Sequence, residues 1–472
     1  MSTQRSVDVA IVGAGTAGLV ALSQVRRVTE NFVLINGGEL GTTCARVGCM
    51  PSKAAIQIAE DFHRRHHFDR IGVEGREALR IEVPEAWEHV RELRDIFVDR
   101  VLAGSTDELG DQLIQGFARF TEPDQLEVNG QTLRTRKVIV ATGSRPYVPE
   151  QWKSFADRVL TTDDLFEQDT LPGTAAIIGL GIIGLEMGQT LQRMGVGVTG
   201  IDRLIAVAGL RDPVVSEAAV EILGAEFPIW LGQPVHIEPQ ADGRLTVSSG
   251  DRQIVVERVV ASMGRIPNLD RLGLDALGVE CDQRGIPHFN PHTMQVGDLP
   301  IFIAGDVTGQ RAVLHEAGDE GKIAGYNAVH EPPVAFRRKT PLAITFCDPN
   351  IATVGAHWGE LDAGATVVGE VRFGPVGRAL IMGKNKGVLR IYAHRNTGTL
   401  LGAAMIAPRG ESLAHLLAWS VQQQLTVQDL LKMPFYHPVI EEALQVALYD
   451  AYRKLDLPPT ELPPELAALE SP

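Results

Sequence analysis

The hydrophobic positions near the start of the chain switch from one period to another. Val7 to Val12 form a short apolar run of the length a buried strand needs. Gly13-Ala14-Gly15-Thr16-Ala17-Gly18 follows, a helical pattern then passes through Val20, Ala21, Gln24 and Val25, and Phe32 to Ile35 reads as a second strand. The same order returns later. Thr174 to Ile178 leads into Gly179-Leu180-Gly181-Ile182-Ile183-Gly184, then a helix to Met194 and a strand from Val196 to Ile201 that ends at Asp202. A third pattern begins near Phe336. It predicts strands over Ala343–Phe346, Gly387–Ala393 and Leu401–Ile406, and helices over Ser412–Gln424 and Ile440–Tyr449, with no glycine motif.

A chain of 472 residues is too long for one ordinary core, so two to four domains are expected. The 44% hydrophobic content is that of a globular protein. A formal net charge of −15 argues against a nucleic-acid-binding surface. No apolar run reaches the length of a membrane span, and the first apolar run breaks at Gly13 without a basic stretch before it. A cytoplasmic protein without membrane or nucleic-acid partners is the expectation. Of the four cysteines, Cys44 and Cys49 stand close together, the arrangement of a catalytic or metal-binding pair in a large intracellular chain. No second Cys or His pair lies near them to complete a zinc site, so no metal is expected. Cys281 and Cys347 are isolated and read as ordinary thiols, while His63, His66 and His67 read as a solvated helix face.

In a strand–turn–helix setting, Gly13 makes the tight turn, Gly15 lets backbone approach a pyrophosphate and Gly18 allows close helix–strand packing. Gly179, Gly181 and Gly184 repeat those roles, which predicts two dinucleotides: one permanently held and one that exchanges. After the second strand of the first motif the expected ribose-binding acid is Asn36, with Glu39 as a substitute from the following loop. The second motif has its acid, Asp202, which suits the ribose 2′-hydroxyl of NAD and repels a 2′-phosphate, although Arg203 follows at once.

Between the motifs lies Gly41-Thr42-Thr43-Cys44-Ala45-Arg46-Val47-Gly48-Cys49-Met50-Pro51-Ser52-Lys53. It resembles the active-site signature of the class I flavoprotein disulfide reductases, the pyridine nucleotide–disulfide oxidoreductases, and its Cys-Met-Pro-Ser-Lys end is most similar to dihydrolipoamide dehydrogenases. Further segments resemble the family in order: Ala141-Thr142-Gly143-Ser144-Arg145-Pro146 as the crossover, Gly264-Arg265-Ile266-Pro267-Asn268 as the return, Ile303-Ala304-Gly305-Asp306 as the second FAD motif, and His437-Pro438 with Glu442 as the acid–base signature. Two departures stand beside Asn36. Thr42 occupies a usual glycine, and Val439-Ile440-Glu441-Glu442 replaces the usual Thr-x-Ser-Glu.

The resemblance implies an α/β fold of two Rossmann-like domains with a C-terminal α+β dimerisation domain. Residues 1–147 and 269–335 would form the FAD-binding domain, 148–268 the NAD-binding domain and 336–472 the interface domain. FAD would be held by Gly13, Gly15, Gly18, Asn36, Lys53, Thr142, Gly143 and Asp306, and NAD by Gly179, Gly181, Gly184, Asp202 and Gly264. Cys44 and Cys49 would form the redox disulfide, Cys44 meeting the substrate thiol and Cys49 the flavin. An unbroken helix would separate them by about 7.5 Å along its axis, beyond disulfide reach, so a break is expected, for which Gly48 and Pro51 are suited. His437, oriented by Glu442, would hold the substrate proton, and Lys53 with Glu186 would lie beside the flavin. The implied activity is oxidation of dihydrolipoyl groups on a lipoylated carrier protein or the lipoyl domain of a complex, with NAD⁺ as acceptor. An NAD(P)H-dependent reductase of glutathione or another small disulfide is the alternative. The resemblance also implies a homodimer whose His437 reaches the other subunit's disulfide. The proline-rich tail around Pro458, Pro459, Pro463 and Pro464 reads as an extended arm without the C-terminal cysteines of mercuric reductases.

Overall fold

The computed structural model describes residues 5–458 and 462–469; Pro459 of the tail lies outside them. The first sheet has seven strands. Arg5–Val12 lies at its centre, parallel to Phe32–Asn36 on one side and Gln131–Val140 on the other. Ala10, Ile11, Val33 and Leu34 are fully buried, as strands covered on both faces require. Ile301–Ile303 joins this sheet from far along the chain, pairing in parallel with Val138 to Val140. The helix Leu314–Val329 then lies directly on the helix Thr16–Val25. Any side chain at Gly321 or Gly325 would meet the carbonyl oxygen of Ala17 or Ala21, at 2.3 and 2.6 Å.

The second sheet is wholly parallel, with Thr174–Ile178 between Gly197–Asp202 and Arg258–Ala261. A three-stranded antiparallel sheet, Val235–Pro239, Leu245–Ser249 and Arg252–Val256, flanks it. The two nucleotide-motif sheets are joined by a short antiparallel pair in which Ser144–Pro146, the crossover, meets Arg265–Pro267, the return.

The C-terminal region is a five-stranded antiparallel sheet packed against the helices Gly410–Gln422 and Glu442–Tyr452. Two of its strands, Asn350–Gly355 and Thr366–Arg372, are additions to the expected set. Gly369 interrupts the apolar alternation of the second one. It is needed because a Cβ there would lie 2.1 Å from the Ala447 carbonyl oxygen of the covering helix. Among the described residues no helix is long and apolar enough to cross a membrane.

Candidate active site

The two glycine turns are superimposable in their bonding. Gly13 N–H donates to Ile35 O at 2.7 Å and Gly179 N–H donates to Ile201 O at 2.9 Å. Each takes a positive φ, +112° and +94°, and each backs onto a carbonyl: a Cβ would stand 2.2 Å from Ala141 O or 2.5 Å from Ser262 O. Gly18 and Gly184 sit against the first glycine of their own turn, where a Cβ would lie 1.9 and 1.8 Å from its carbonyl oxygen. Gly15 and Gly181 face open space. Both are N-caps that leave their helix without a side-chain cap, so backbone N–H groups are available to a phosphate there.

The residues that follow differ. Asn36 Oδ1 accepts from Ala14 N–H at 3.2 Å, and its amide nitrogen donates to Gly38 O at 2.6 Å. Asp202 Oδ2 accepts the corresponding N–H, that of Leu180, at 2.6 Å, while Oδ1 accepts from Leu204 N–H. Glu39 is ion-paired to Arg46.

The crossover and return segments knit a second polar cluster. Arg265 Nε donates to Ser144 Oγ at 2.7 Å, and Ser144 Oγ donates to Asp306 Oδ2 at 2.8 Å. Asn268 closes the same turn through bonds to the Thr142 and Gly143 carbonyls. Gly305 N–H is held by the buried Glu320, whose carboxyl burial pushes up despite its bond from Arg338. The buried Thr142 hydroxyl oxygen has no hydrogen-bond partner among the described residues. Uncapped helix N-termini and an orphaned hydroxyl fit bound dinucleotides at these turns.

Cys44 and Cys49 sit across a break between two helices, Thr43–Arg46 and Cys49–His63. Val47 and Gly48 leave helical geometry, and Gly48 lets the turns touch, a Cβ there standing 3.0 Å from Thr43 O. Pro51 lies inside the first turn of the second helix, where its missing N–H costs no bond. Both cysteines are free thiols, close enough for Cys44 to share its proton with the Cys49 sulfur. That hydrogen bond, reinforced by the Lys53 charge, brings the Cys49 thiol down to about 7, whereas the same bond holds the Cys44 proton on.

Lys53 Nζ lies 2.8 Å from Glu186 Oε2, although 133 residues separate them. Glu186 is buried, and its Oε1 accepts Phe346 N–H at 2.9 Å, while the Phe346 ring lies 4.6 Å from Lys53 Nζ. Phe346 has no signal in the sequence, because its part rests on a backbone N–H and on packing. His437 Nδ1 is 2.8 Å from Glu442 Oε1, and Val439 N–H donates to Oε2. These bonds, that from His437 first, hold the Glu442 carboxyl below its usual range.

One cavity of about 1090 Å³ is lined by Cys44, Cys49, Lys53 and Glu186 together with Gly15, Gly143, Asp306, Gly181, Asp202 and Gly264. His437 does not line it and is 82% exposed. The reading of His63, His66 and His67 as a solvated face holds only in part. His63 is half-buried, and burial, with Arg193 nearby, lowers it to about 4. Among the described residues no group of three His, Cys, Asp or Glu side chains could hold a metal.

Residues 7–321 match the pyridine nucleotide-disulphide oxidoreductase family model, and 342–448 match the dimerisation domain of the same family. The chain is 30% identical to the dihydrolipoyl dehydrogenase of Halobacterium salinarum, over 93% of this chain and 95% of that one. It is also 30% identical to that of Thermus scotoductus, over 94% and 97%. Among solved structures it is similar to LpdA from Mycobacterium tuberculosis, with TM-score 0.81, 23% identity and coverage of 94% and 99%. It is also similar to the HOCl-induced flavoprotein disulfide reductase RclA from Escherichia coli, with TM-score 0.79, 21% identity and the same coverage. These structures share the fold.

Proposed function

The chain belongs to the pyridine nucleotide-disulphide oxidoreductase family, and we propose that within it the chain is an NAD-dependent dihydrolipoyl dehydrogenase acting on a lipoylated carrier protein or lipoyl domain. The observation that carries this reading is that Cys44 and Cys49, the Lys53–Glu186 pair and both glycine turns line one cavity. The curated relatives named dihydrolipoyl dehydrogenase, which match nearly end to end, support the substrate class. Asp202 supports NAD over NADP, since its carboxylate repels a 2′-phosphate.

In the oxidised enzyme a substrate thiolate attacks Cys44 Sγ, the Cys44–Cys49 bond breaks and Cys49 leaves as thiolate. The second substrate thiolate then attacks the substrate sulfur bonded to Cys44, releasing the cyclic disulfide and the Cys44 thiolate. Two electrons now reside on the cysteine pair, and the displaced protons pass to His437 and to Cys44. Cys49 suits its part because the Lys53 charge, which lowers its thiol, favours it as the leaving thiolate. Lys53, fixed by Glu186, keeps a positive charge beside it. FAD, when bound by the Gly13–Gly18 turn, Thr142 and Asp306, supplies the electron carrier between Cys49 and NAD⁺ at the Gly179–Gly184 turn.

His437 serves the disulfide of a second subunit. Its exposure supports this, as do Tyr436, Trp419 and Val446, large apolar side chains left 80%, 64% and 52% exposed on the dimerisation domain. The test is a pair of assays on purified holoenzyme. Dihydrolipoamide with NAD⁺ should give NADH formation that Cys49→Ser abolishes. Activity only with glutathione disulfide and NADPH would reject this reading in favour of a small-disulfide reductase.

A further inference from the structure

Of the described non-glycine residues with positive φ, Thr42 alone is β-branched. Its φ of 65° and ψ of 148° lie where glycine is at ease and a branched side chain is not. Such a conformation persists only where its surroundings over-determine it. Here the Thr42 hydroxyl accepts Ala45 N–H at 3.2 Å and the Thr42 carbonyl accepts Arg46 N–H at 3.1 Å. Both bonds close the short helix Thr43–Arg46 around Cys44. Helices this short do not hold themselves, so their shape depends on what flanks them. On the other flank the turn touches Gly48, where a Cβ would lie 3.3 Å from Cys44 Cα.

We propose that Thr42 is a positioning residue that aims Cys44 at Cys49, an inference that rests on the reading of this pair as the redox centre. Thr42 exchanges the ease of glycine for a fixed cap. It sets the geometry in which the Cys44 and Cys49 sulfurs approach, and with it the balance between dithiol and disulfide.

The test equilibrates reduced holoenzyme with dithiothreitol and its cyclic disulfide. Each Cys44–Cys49 bond formed passes two electrons and two protons to the reagent, and acid quenching, alkylation and mass measurement count the bonds. Thr42→Val keeps the branched shape and loses the acceptor, Thr42→Ala loses both, and Thr42→Ser keeps the acceptor. Thr42→Val and Thr42→Ala should shift the equilibrium constant by about fivefold, the effect of a lost cap, while Thr42→Ser stays within about twofold of the parent. The pH profile of thiol alkylation should move in the same two variants. Thr42→Ala carries the test if Thr42→Val does not fold. Parent-like constants and profiles in the variants lacking the hydroxyl overturn the proposal. A parent protein that forms no disulfide at any reagent ratio overturns the redox-pair reading as well.

Discussion

Around the first glycine turn, Gly13 bonds to Ile35 and Asn36 accepts from Ala14; around the second, Gly179 bonds to Ile201 and Asp202 accepts from Leu180. The backbone device is the same, down to the carbonyls that stand where side chains would be. The two differ in charge and in cover. Asn36 is neutral and spends its amide nitrogen on Gly38, whereas Asp202 brings a carboxylate. The first turn lies under Gly305 and the helix Leu314–Val329, while past the second Leu204 and Ile205 are left 58% and 83% exposed. On the proposed reading, one turn geometry serves a nucleotide that stays and one that leaves, and the surroundings distinguish them.

If the turns are equivalent, Gly18→Ala and Gly184→Ala should be equally damaging. Each puts a Cβ inside a backbone carbonyl, and a loss of about 3 kcal/mol is expected from chemical denaturation. A loss in only one of them would break the equivalence. Next in size is the contrast between the thiol site and the nucleotide sites. His437→Gln should lower dihydrolipoamide turnover by about 10²-fold, with electron transfer from NADH to an artificial dye unchanged. An unchanged thiol reaction removes His437 from the mechanism.

Converting one turn into the other gives smaller effects. Asp202→Asn, which makes the second turn like the first, should raise the NAD⁺ KM by about tenfold and narrow the preference over NADP⁺. Asn36→Asp should slow FAD release by about threefold, read from flavin fluorescence after dilution. At the thiol end, Lys53→Met removes the charge that helps hold Cys49 near 7. The Cys49 thiolate is present above that pH and lost below it, so the alkylation midpoint should move upward. A midpoint that stays would remove Lys53 as a cause.

The glycine turns were legible in the sequence because they demand a residue type: at Gly13 and Gly18 nothing larger fits. The break between Cys44 and Cys49 was legible for a related reason, since helical rise forbids their pairing. Lys53, Glu186, His437 and Glu442 were named through resemblance, and the structure adds their distances. Phe346 was not legible, because a backbone N–H to Glu186 leaves no residue preference. The strand Thr366–Arg372 was hidden by Gly369, which exists for the helix above it. His63 was misjudged because residues far along the chain, Arg193, Glu226 and Asp348, come close to it.

Both glycine turns line the cavity within one chain, whereas His437 does not line it beside Cys44 and Cys49. If two copies complete the thiol site, mixed dimers show it most directly. Cys49→Ser chains and His437→Gln chains should each be nearly inactive with dihydrolipoamide. Dissociated, mixed and reassociated, they should regain about a quarter of parent activity, because half the dimers are mixed and each mixed dimer has one intact site. No recovery in dimers shown to be mixed would contradict the account.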